Sequence, residues 1–391
     1  MSYKLVQNLN TLKKLPKNYR LVEFSKLVKD ATKNVTKIKK QDYLELGKIP
    51  IIDQGQEFIA GYSNDIEKNF YKNKAIIFGD HTRKFKYIDF PFYIGADGVK
   101  VLESDLKTVF PKYLYYFFQT LNIPNTGYNR HFKYLKDVKI ILPPIPTQIK
   151  IAAALDKAQE LIDKRKEQIQ KYDDLLQSVF LDMFGDPVTN PKGWEVDILK
   201  EHLNIVGGYA FKSSLFEETG VPVIKIGTVN KGYFDVNTFS YYNEKYLDSL
   251  EKYLVVPNDL LISLTGTVGK EDYGNICRST NEFSQYFLNQ RVAKLQFNKE
   301  TINDYYAEYT FKNPKFKSEI IKLSRGVRQA NISNNDIYSL NISLPPLPLQ
   351  SQFASIVKKV EEEKKKLETS LSELENNFNS IMQRAFKGEL F

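Results

Sequence analysis

The chain has 391 residues, 42% of them hydrophobic, which predicts two or three domains with substantial cores. It contains no apolar run of about twenty residues, and its first residues, Met1-Ser2-Tyr3-Lys4, do not begin a signal peptide, so we expect a soluble, cytoplasmic protein that enters no membrane. The single cysteine, Cys277, and three well-separated histidines argue against a disulfide framework and against a Cys/His metal site. The net charge of +9 suggests a polyanionic partner.

The first predicted domain spans residues 1–145. Its apolar runs are short and rich in β-branched and aromatic residues, with Gly, Asn and Asp between them, which is typical of a mixed α/β domain with many strands. Residues 1–146 hold 25 basic and 14 acidic side chains, so most of the positive charge lies here. Nucleic acid is the usual partner of such a domain, although a lysine-rich solvated surface explains the composition equally well.

A long helix is predicted within residues 146–186, after the segment Leu142-Pro143-Pro144-Ile145-Pro146-Thr147-Gln148. Apolar residues recur there at spacings of three and four over nearly five heptads, which is a coiled-coil pattern. One seam row comprises Ile151, Ala158, Arg165, Tyr172 and Val179, and the other comprises Leu155, Ile162, Ile169, Leu176 and Met183. Gly185 and Pro187 are expected to end this helix before the next domain.

The second predicted domain spans residues 187–343 and resembles the first in outline. Its opening Pro191-Lys192-Gly193-Trp194 parallels Pro16-Lys17-Asn18-Tyr19, and both domains end in an aromatic helix-like stretch, a glycine and a strand. This second domain is neutral, with 18 basic and 18 acidic side chains. Trp194 is expected to be a packing anchor at the domain entry.

Residues 344–391 repeat the first helix, 202 positions later. Leu344-Pro345-Pro346-Leu347-Pro348-Leu349-Gln350 precedes the second heptad pattern. Its seam rows comprise Phe353, Val360, Leu367, Leu374 and Ile381, and Val357, Lys364, Leu371, Phe378 and Ala385. We expect the two helices to pair antiparallel, with Arg165 opposite Leu371 and Lys364 opposite Tyr172. The alternative is that each helix packs separately on its own domain.

The order and duplication of these segments resemble the specificity (S) subunits of Type I restriction–modification enzymes. Further matching segments are Gly-Gly-Tyr-Ala-Phe-Lys-Ser at 207–213, Asp-Leu-Leu-Ile-Ser-x-Thr-Gly at 259–266 and Asn-Gln-Arg-Val at 289–292. The resemblance implies an α+β fold with two target-recognition domains joined by two long antiparallel coiled-coil helices in a pseudo-two-fold arrangement. It also implies recognition of a bipartite, asymmetric double-stranded DNA site. Two methyltransferase subunits would dock on the helices, and restriction subunits would join through that complex.

No catalytic role is expected for this chain. The Leu-Pro-Pro segments lack the Asn or Asp of an amino-methyltransferase motif, and Gly266-Thr267-Val268-Gly269-Lys270-Glu271 misses the phosphate-loop pattern at two positions. No Gly-x-Gly-x-x-Gly occurs. We therefore expect no cofactor and no metal.

Polar side chains near glycines are the candidates for reading DNA, because base edges are recognised by Arg, Lys, Asn, Gln, Ser and Thr. The candidates in the first domain are Gln54, Gln56, Thr82, Arg83, Lys84, Lys86, Asn129, Arg130, His131 and Lys133. Those in the second are Tyr209, Lys212, Ser213, Thr265, Thr267, Lys270, Arg325, Arg328, Gln329 and Asn331. A polar cluster beside a glycine is more often an ordinary surface turn than a binding site, and that alternative stays open for each of them. His131 and Tyr209 are more often packed side chains than DNA contacts.

Outside the seam, Leu161, Leu175 and Phe180 are also apolar, which suggests docking of partner subunits or, alternatively, packing against the chain's own domains. Such faces can also allow self-association when partners are missing. A different class of function is a coiled-coil scaffold with a basic, polyanion-binding domain. A recognition domain fused to a modification enzyme is a further alternative, against which the absence of a methyltransferase segment argues.

Overall fold

The computed structural model describes residues 15–95, 97–127 and 129–391. The chain divides into two compact units, each made of one domain and parts of both long helices. The first unit comprises residues 1–167 and 369–391, and the second comprises residues 168–368. The predicted mixed α/β class, with two long helices, is confirmed.

The first unit contains three sheets. Its strands are β1 (Arg20–Glu23), β2 (Val28–Asp30), β3 (Lys37–Ile38), β4 (Ile49–Ile52), β5 (Gly61–Ser63), β6 (Ala75–Gly79), β7 (Phe85–Ile88), β8 (Tyr93–Gly95), β9 (Val99–Ser104) and β10 (Lys139–Leu142). They form the orders β1-β10, β2-β9-β6-β7 and β3-β8-β4-β5. Three short helices accompany them: α1 (Phe24–Leu27), α2 (Pro111–Gln119) and α3 (Phe132–Leu135).

Two long helices complete the units: α4 (Ile145–Phe184) and, later in the chain, α9 (Leu347–Lys387). α4 begins at Ile145, one residue before the predicted range, and α9 begins at Leu347, inside its predicted range. Each has a proline in its first turn, where the missing N–H forfeits no intrahelical hydrogen bond. Gly185 ends α4 with a φ of +78°, a backbone conformation that glycine adopts without strain.

The second unit repeats this framework. Its strands are β11 (Glu195–Ile198), β12 (Leu203–Gly207), β13 (Val221–Ile224), β14 (Ser240–Tyr242), β15 (Leu254–Val255), β16 (Leu260–Ser263), β17 (Thr265–Thr267), β18 (Ile276–Arg278), β19 (Tyr286–Leu288), β20 (Val292–Phe297), β21 (Gln329–Asn331) and β22 (Asn341–Leu344). Its short helices are α5 (Ile226–Val229), α6 (Asp304–Lys312), α7 (Pro314–Lys322) and α8 (Asn334–Tyr338).

The sheet orders show that the weak sequence similarity between the two domains reflects a shared structural framework. The second unit has β11-β22, β12-β20-β16-β18 and β14-β13-β19-β15, which match the three sheets of the first unit in number and size. It adds a fourth, two-stranded sheet, β17-β21. The parallel pairs β4·β8 and β13·β19 occupy equivalent places, as do α2 and α6.

Within each unit, helix segments pack on each other and on the domain. In the first unit Ile151, Leu155 and Ile162 share a core with Phe378, Met382 and Phe386, and Lys166 pairs with Glu375 at 3.0 Å. In the second, Lys364 pairs with Asp173 at 2.6 Å, and the ring of Phe184 lies 5.5 Å from that of Phe353. The segments therefore run antiparallel, as predicted. The structure places all twenty seam residues at buried or partly buried positions.

Of the two alternatives for Phe180, docking of a partner and packing against the chain's own domain, the structure supports packing. Phe180 is buried against Tyr306, Tyr309 and Phe353 of its own unit, which removes it from any docking surface. Leu161 and Leu175 remain exposed, at 47% and 46%. Trp194 anchors the second domain as predicted, since its Nε1–H donates to the carbonyl oxygen of Phe184 at 2.8 Å.

The repeated glutamine of the Leu-Pro-Pro segments locks each helix to its domain. Gln148 is fully buried: its Oε1 accepts from the backbone N–H of Phe110 at 2.8 Å, and its Nε2 donates to the carbonyl oxygens of Pro143 and Thr108. Gln350 makes the same three bonds, to Asn303, Pro345 and Thr301. Because Phe110 and Asn303 precede α2 and α6, the amides tie the start of each long helix to the start of a domain helix.

Candidate nucleic-acid interface

Three separate segments of the first domain meet at the turn between β6 and β7. Gln54 accepts a hydrogen bond from the backbone N–H of His81 at 3.1 Å, and the ring Nδ1 of His81 lies 3.2 Å from the carbonyl oxygen of Asn129. Lys84 bonds Gln56. The three candidate groups predicted from the sequence, 54–56, 81–84 and 129–133, therefore form one cluster.

Two candidates in this cluster are buried, and both hydrogen-bond to backbone carbonyl oxygens within it. His131 is completely buried, with its Nδ1 2.8 Å from the carbonyl oxygen of Asp80. Lys86 donates to the carbonyl oxygens of Asp53 and Glu57, and burial lowers its pKa against the opposing effect of Asp53. Neither side chain is available to a surface ligand, so we remove both from the contact set.

Of the eight remaining candidates, Gln54, Thr82 and Arg83 are partly buried, and the other five form the exposed part of the cluster. Gln56, Lys84, Asn129, Arg130 and Lys133 are exposed. Together they supply donors, acceptors and three positive charges at the surface of the cluster. This combination suits phosphate contacts by Lys and Arg, and base-edge contacts by Asn and Gln.

Arg83 in this turn adopts a conformation that is unusual for its residue type. Its φ is +62°, and its Nη1 donates to the carbonyl oxygen of Ile123 at 3.3 Å. Its buried Nε has no hydrogen-bond partner among the described residues. A left-handed non-glycine residue is strained, and such strain often lies at functional sites.

The second domain carries glycine where the first carries Arg83. Arg83 donates its backbone N–H to Gly79 in the β6–β7 turn, and Gly274 donates to Ser263 in the β16–β18 connection. Gly274 has a similar φ of +67°. Between the paired residues the first domain has residues 80–82, whereas the second has the longer excursion 264–273, which contains β17.

That excursion forms the second candidate cluster. β17 pairs antiparallel with β21, and this pairing sets Thr265 opposite Asn331 and Thr267 opposite Gln329. Two candidate groups that lie more than fifty residues apart in sequence thus meet in one ribbon. Lys270, Arg325 and Arg328 are exposed around it.

A cavity of about 350 Å³ opens beside the ribbon, lined by Thr265, Thr267, Asp272, Arg291, Arg328 and Gln329 among others. Asp272 accepts from the backbone N–H of Thr267 at 2.7 Å, which holds the ribbon's turn. The cavity therefore combines guanidinium, amide and hydroxyl groups in a concave surface.

The residues 209–213 are a separate group. Tyr209 packs partly buried, with its ring 5.0 Å from Phe211 and 5.4 Å from Tyr253, which favours the packing interpretation for this residue. Lys212 and Ser213 are exposed.

Sequence reasoning missed two residues of the second cluster. Arg291, in the Asn-Gln-Arg-Val segment at 289–292, precedes an apolar alternation that fits a structural role equally well, yet it lines the cavity. Val327, next to Arg328, was not considered, because valine usually signals a core position; it is 93% exposed.

Neither a membrane span nor a metal site is evident in the parts of the chain that the structure describes. None of those helices is both long and apolar enough to cross a bilayer. No group of three or more His, Cys, Asp or Glu side chains there could hold a metal ion.

Comparison with known proteins identifies the family. The family described as "Type I restriction modification DNA specificity domain" matches twice, at residues 16–171 and 191–376. The specificity subunit of the Type I restriction enzyme MjaVIII from Methanocaldococcus jannaschii is 29% identical over 243 residues, covering 59% of this chain and 56% of that protein. The EcoR124I/EcoR124II specificity subunit from Escherichia coli is 30% identical over 162 residues, covering 36% and 40%.

These two alignments span about half the length of the curated relatives or less. The fold is shared over a greater length: the crystal structure of a Type I restriction–modification S subunit from M. genitalium aligns with a TM-score of 0.51 at 16% identity, covering 99% of both chains. Since the family match takes in both domains and most of both long helices, the chain belongs to the Type I restriction–modification DNA specificity family.

Proposed function

We propose that this chain is the non-catalytic subunit that gives a Type I restriction–modification complex its sequence specificity. Each domain reads one half of a bipartite, asymmetric double-stranded DNA site. The observation that carries this proposal is the duplicated framework with unlike clusters: the same sheets support the short Arg83 turn in one unit and the β17-β21 ribbon in the other. Two different reading surfaces on one repeated scaffold require two different half-sites.

The charge distribution supports contact with a polyanion. The first domain combines an excess of basic side chains with the exposed Lys84, Arg130 and Lys133 of its cluster. In the second, neutral domain the exposed Lys270, Arg325 and Arg328 concentrate positive charge at the ribbon. Phosphate contacts at these positions would fix the register, and the amides and hydroxyls between them would read bases.

The long helices would serve as the docking surface for methyltransferase subunits, two per chain, with restriction subunits joining through that complex. Leu161 in the first unit and Leu175 in the second support this part of the proposal, because both are large apolar side chains left about half exposed on α4. An apolar surface left uncovered can also lead to self-association when partners are absent.

A salt titration of the full chain with its methyltransferase subunits tests the proposed function. Binding to duplex DNA that contains the genomic site should weaken steeply with salt, whereas its preference over a scrambled duplex should persist. A scaffold with a merely basic surface would show the same salt dependence with no preference among sequences, and that result would refute the proposal.

A further inference from the structure

The turn that leads into β21 presents a valine to solvent. Val327 is 93% exposed, more than any other large hydrophobic side chain among the described residues, and Val268 beside it is 46% exposed. Single exposed apolar residues are common on protein surfaces. This one is distinguished by the way its turn is held and by its neighbours.

The turn is built to hold Val327 outward. Arg325 and Asn331 exchange both backbone hydrogen bonds at 2.9 Å, and the backbone N–H of Val268 donates to the carbonyl oxygen of Arg328 at 3.2 Å. Gly326 has a φ of +127°, and a Cβ there would lie 2.0 Å from the carbonyl oxygen of Gln329, so only glycine fits.

An ion pair anchors the base of this turn. The guanidinium of Arg325 lies 3.1 Å from Asp336, a largely buried carboxylate that also caps α8 through Ser333. Backbone hydrogen bonds, a glycine and an ion pair therefore hold this loop in one conformation. That conformation exposes Val327.

The neighbours of Val327 are those of a base-reading surface. Arg325 and Arg328 flank it, and Arg328 and Gln329 line the polar cavity with Thr265 and Thr267. In the major groove, Arg pairs with guanine and Gln with adenine, whereas thymine is distinguished by its C5 methyl group, which needs an apolar contact. The second cluster has the polar groups for the first two tasks, and Val327 supplies the missing apolar one.

We propose that Val327 contacts the C5 methyl group of a thymine in the half-site read by the second domain. This inference rests on the proposed function and adds the chemical group that one residue recognises. The described part of the first domain has no counterpart, because its β6–β7 turn lacks the excursion that pairs with β21. Methyl-dependent recognition through this contact is therefore confined to one half of the site.

A uracil scan tests the proposal, since uracil is thymine without the methyl group. The probes are duplexes carrying the genomic site with each thymine replaced singly by uracil, and the protein is the full chain with its methyltransferase subunits. Wild type should lose affinity about three- to five-fold at one or two positions in one half-site, the factor expected from burying a single methyl group. Val327→Ala should bind the thymine and uracil duplexes equally at those positions.

Two further variants sharpen the comparison. Val327→Thr keeps one methyl group and should retain part of the discrimination. Leu46→Ala, which truncates an 83% exposed leucine in the first domain, should behave like wild type. These predictions concern a ratio of affinities, so a general loss of stability would not imitate them.

Three results would overturn the inference. Uracil could reduce binding by the same factor in wild type and Val327→Ala, the half-site of the second domain could lack thymine, or Val327→Ala could impair assembly with the methyltransferase while leaving discrimination intact. In each case sequence-specific binding would persist. Loss of all sequence preference in wild type would instead refute the proposed function.

Discussion

At the position of Arg83 the two domains share a backbone conformation but differ in residue type. Its φ of +62° matches that of Gly274 in the equivalent turn, so the first domain keeps a strained arginine where the second has the residue that fits without strain. The Arg83 side chain is partly buried, next to the exposed Lys84, and its Nη1 donates to the carbonyl oxygen of Ile123. Strain of this kind persists where a side chain is needed for function.

We therefore predict that Arg83→Gly separates binding from stability. Relief of the left-handed conformation is worth about 1 kcal/mol, and the greater chain entropy of glycine offsets much of it, so unfolding free energy should change by less than about 0.5 kcal/mol. DNA affinity should fall at least about five-fold, the lower limit for losing one specific arginine contact.

Arg83→Asn, which tolerates the same φ, should show a similar loss, and Lys107→Gly removes an exposed charge elsewhere as a control. Urea unfolding and fluorescence anisotropy measure the two quantities. Arg83→Gly binding DNA as tightly as wild type would exclude Arg83 from the interface.

Glu308 gives the second unit a pH dependence that Tyr115, at the equivalent position of α2, does not give the first. Burial raises the pKa of this carboxyl, but the charges and hydrogen bonds of Lys312 and Arg278 outweigh it and hold the pKa below its ordinary value of 4.5. The folded state thus favours the ionised form. The resulting stabilisation is complete above that value and is lost as the pH falls below it.

Glu308→Gln should therefore destabilise the second unit by up to about 3 kcal/mol at pH 7, because it leaves two partly buried cations without their buried carboxylate. The difference from wild type should shrink as the pH is lowered below about 4.5. Tyr115→Phe, at the equivalent position of α2, provides the control without a carboxylate. Amide hydrogen exchange over 168–368 measures the effect, and a difference independent of pH would show that the ion pair is unimportant.

Among the secondary-structure elements, the two long helices and the Leu-Pro-Pro segments before them were predicted best from the sequence. Heptad spacing predicted both long helices, since a seam of apolar residues has few other solutions. The role of Gln148 and Gln350 could not be predicted, because a polar residue four positions into a helix normally faces solvent. Their burial depends on Thr108 and Thr301, some forty residues or more distant in sequence.

The candidate clusters show the same limit of sequence prediction, because contacts between distant segments cannot be predicted from one sequence. Residue type and neighbouring glycines identified Gln54, Asn129 and Thr267, but the sequence could not show that 54–56 and 129–131 meet at one turn. It also could not separate exposed Lys84 from buried Lys86, two positions later, since that depends on which face of β7 lies against the 53–57 loop. The burial of Phe180 could not be predicted for a similar reason, because its partners Tyr306 and Tyr309 come from α6.

Replacing either buried glutamine should weaken the junction between helix and domain. Gln148→Met leaves the N–H of Phe110 and two carbonyl oxygens without partners, and we expect a loss of about 2 kcal/mol in unfolding free energy, with a similar loss for Gln350→Met. Gln159→Met, on the same helix with a single exposed bond to Asp163, is the matched control and should change stability by less than about 0.5 kcal/mol. Equal effects in urea unfolding at positions 148 and 159 would contradict the locking role.

At the scale of the whole molecule, one domain precedes α4, a helix of 40 residues, along the chain and the other follows it. If this helix sets the distance between half-sites, lengthening it changes the recognised spacer. One added heptad extends a helix by about 10 Å, close to three base pairs of duplex.

We predict that inserting one heptad into α4, with a matching heptad in α9 to keep the pairing, lengthens the preferred spacer by about three base pairs and leaves both half-sites unchanged. A heptad appended after Phe391 is the control. Methylation patterns identical to those of wild type would show that the helices do not measure spacing.

Docking of partner subunits should depend on the exposed leucines of α4. Leu161→Glu places a charge in that apolar surface and should reduce association with the methyltransferase subunit at least about ten-fold. Ser178→Glu adds the same charge at another exposed helix position and should have little effect. Co-purification and analytical ultracentrifugation provide the readout, and equal behaviour of the two variants would remove Leu161 from the docking surface.

The central claim, that duplicated domains read two different half-sites, is tested most directly by sequencing methylated adenines in cells that carry this chain and its methyltransferase. The wild type should yield one bipartite motif. Asn129→Ala, in the first cluster, should relax or abolish one half only, and Thr267→Ala, in the second, the other half only. A contiguous motif, or substitutions in one domain that alter both halves alike, would contradict the account.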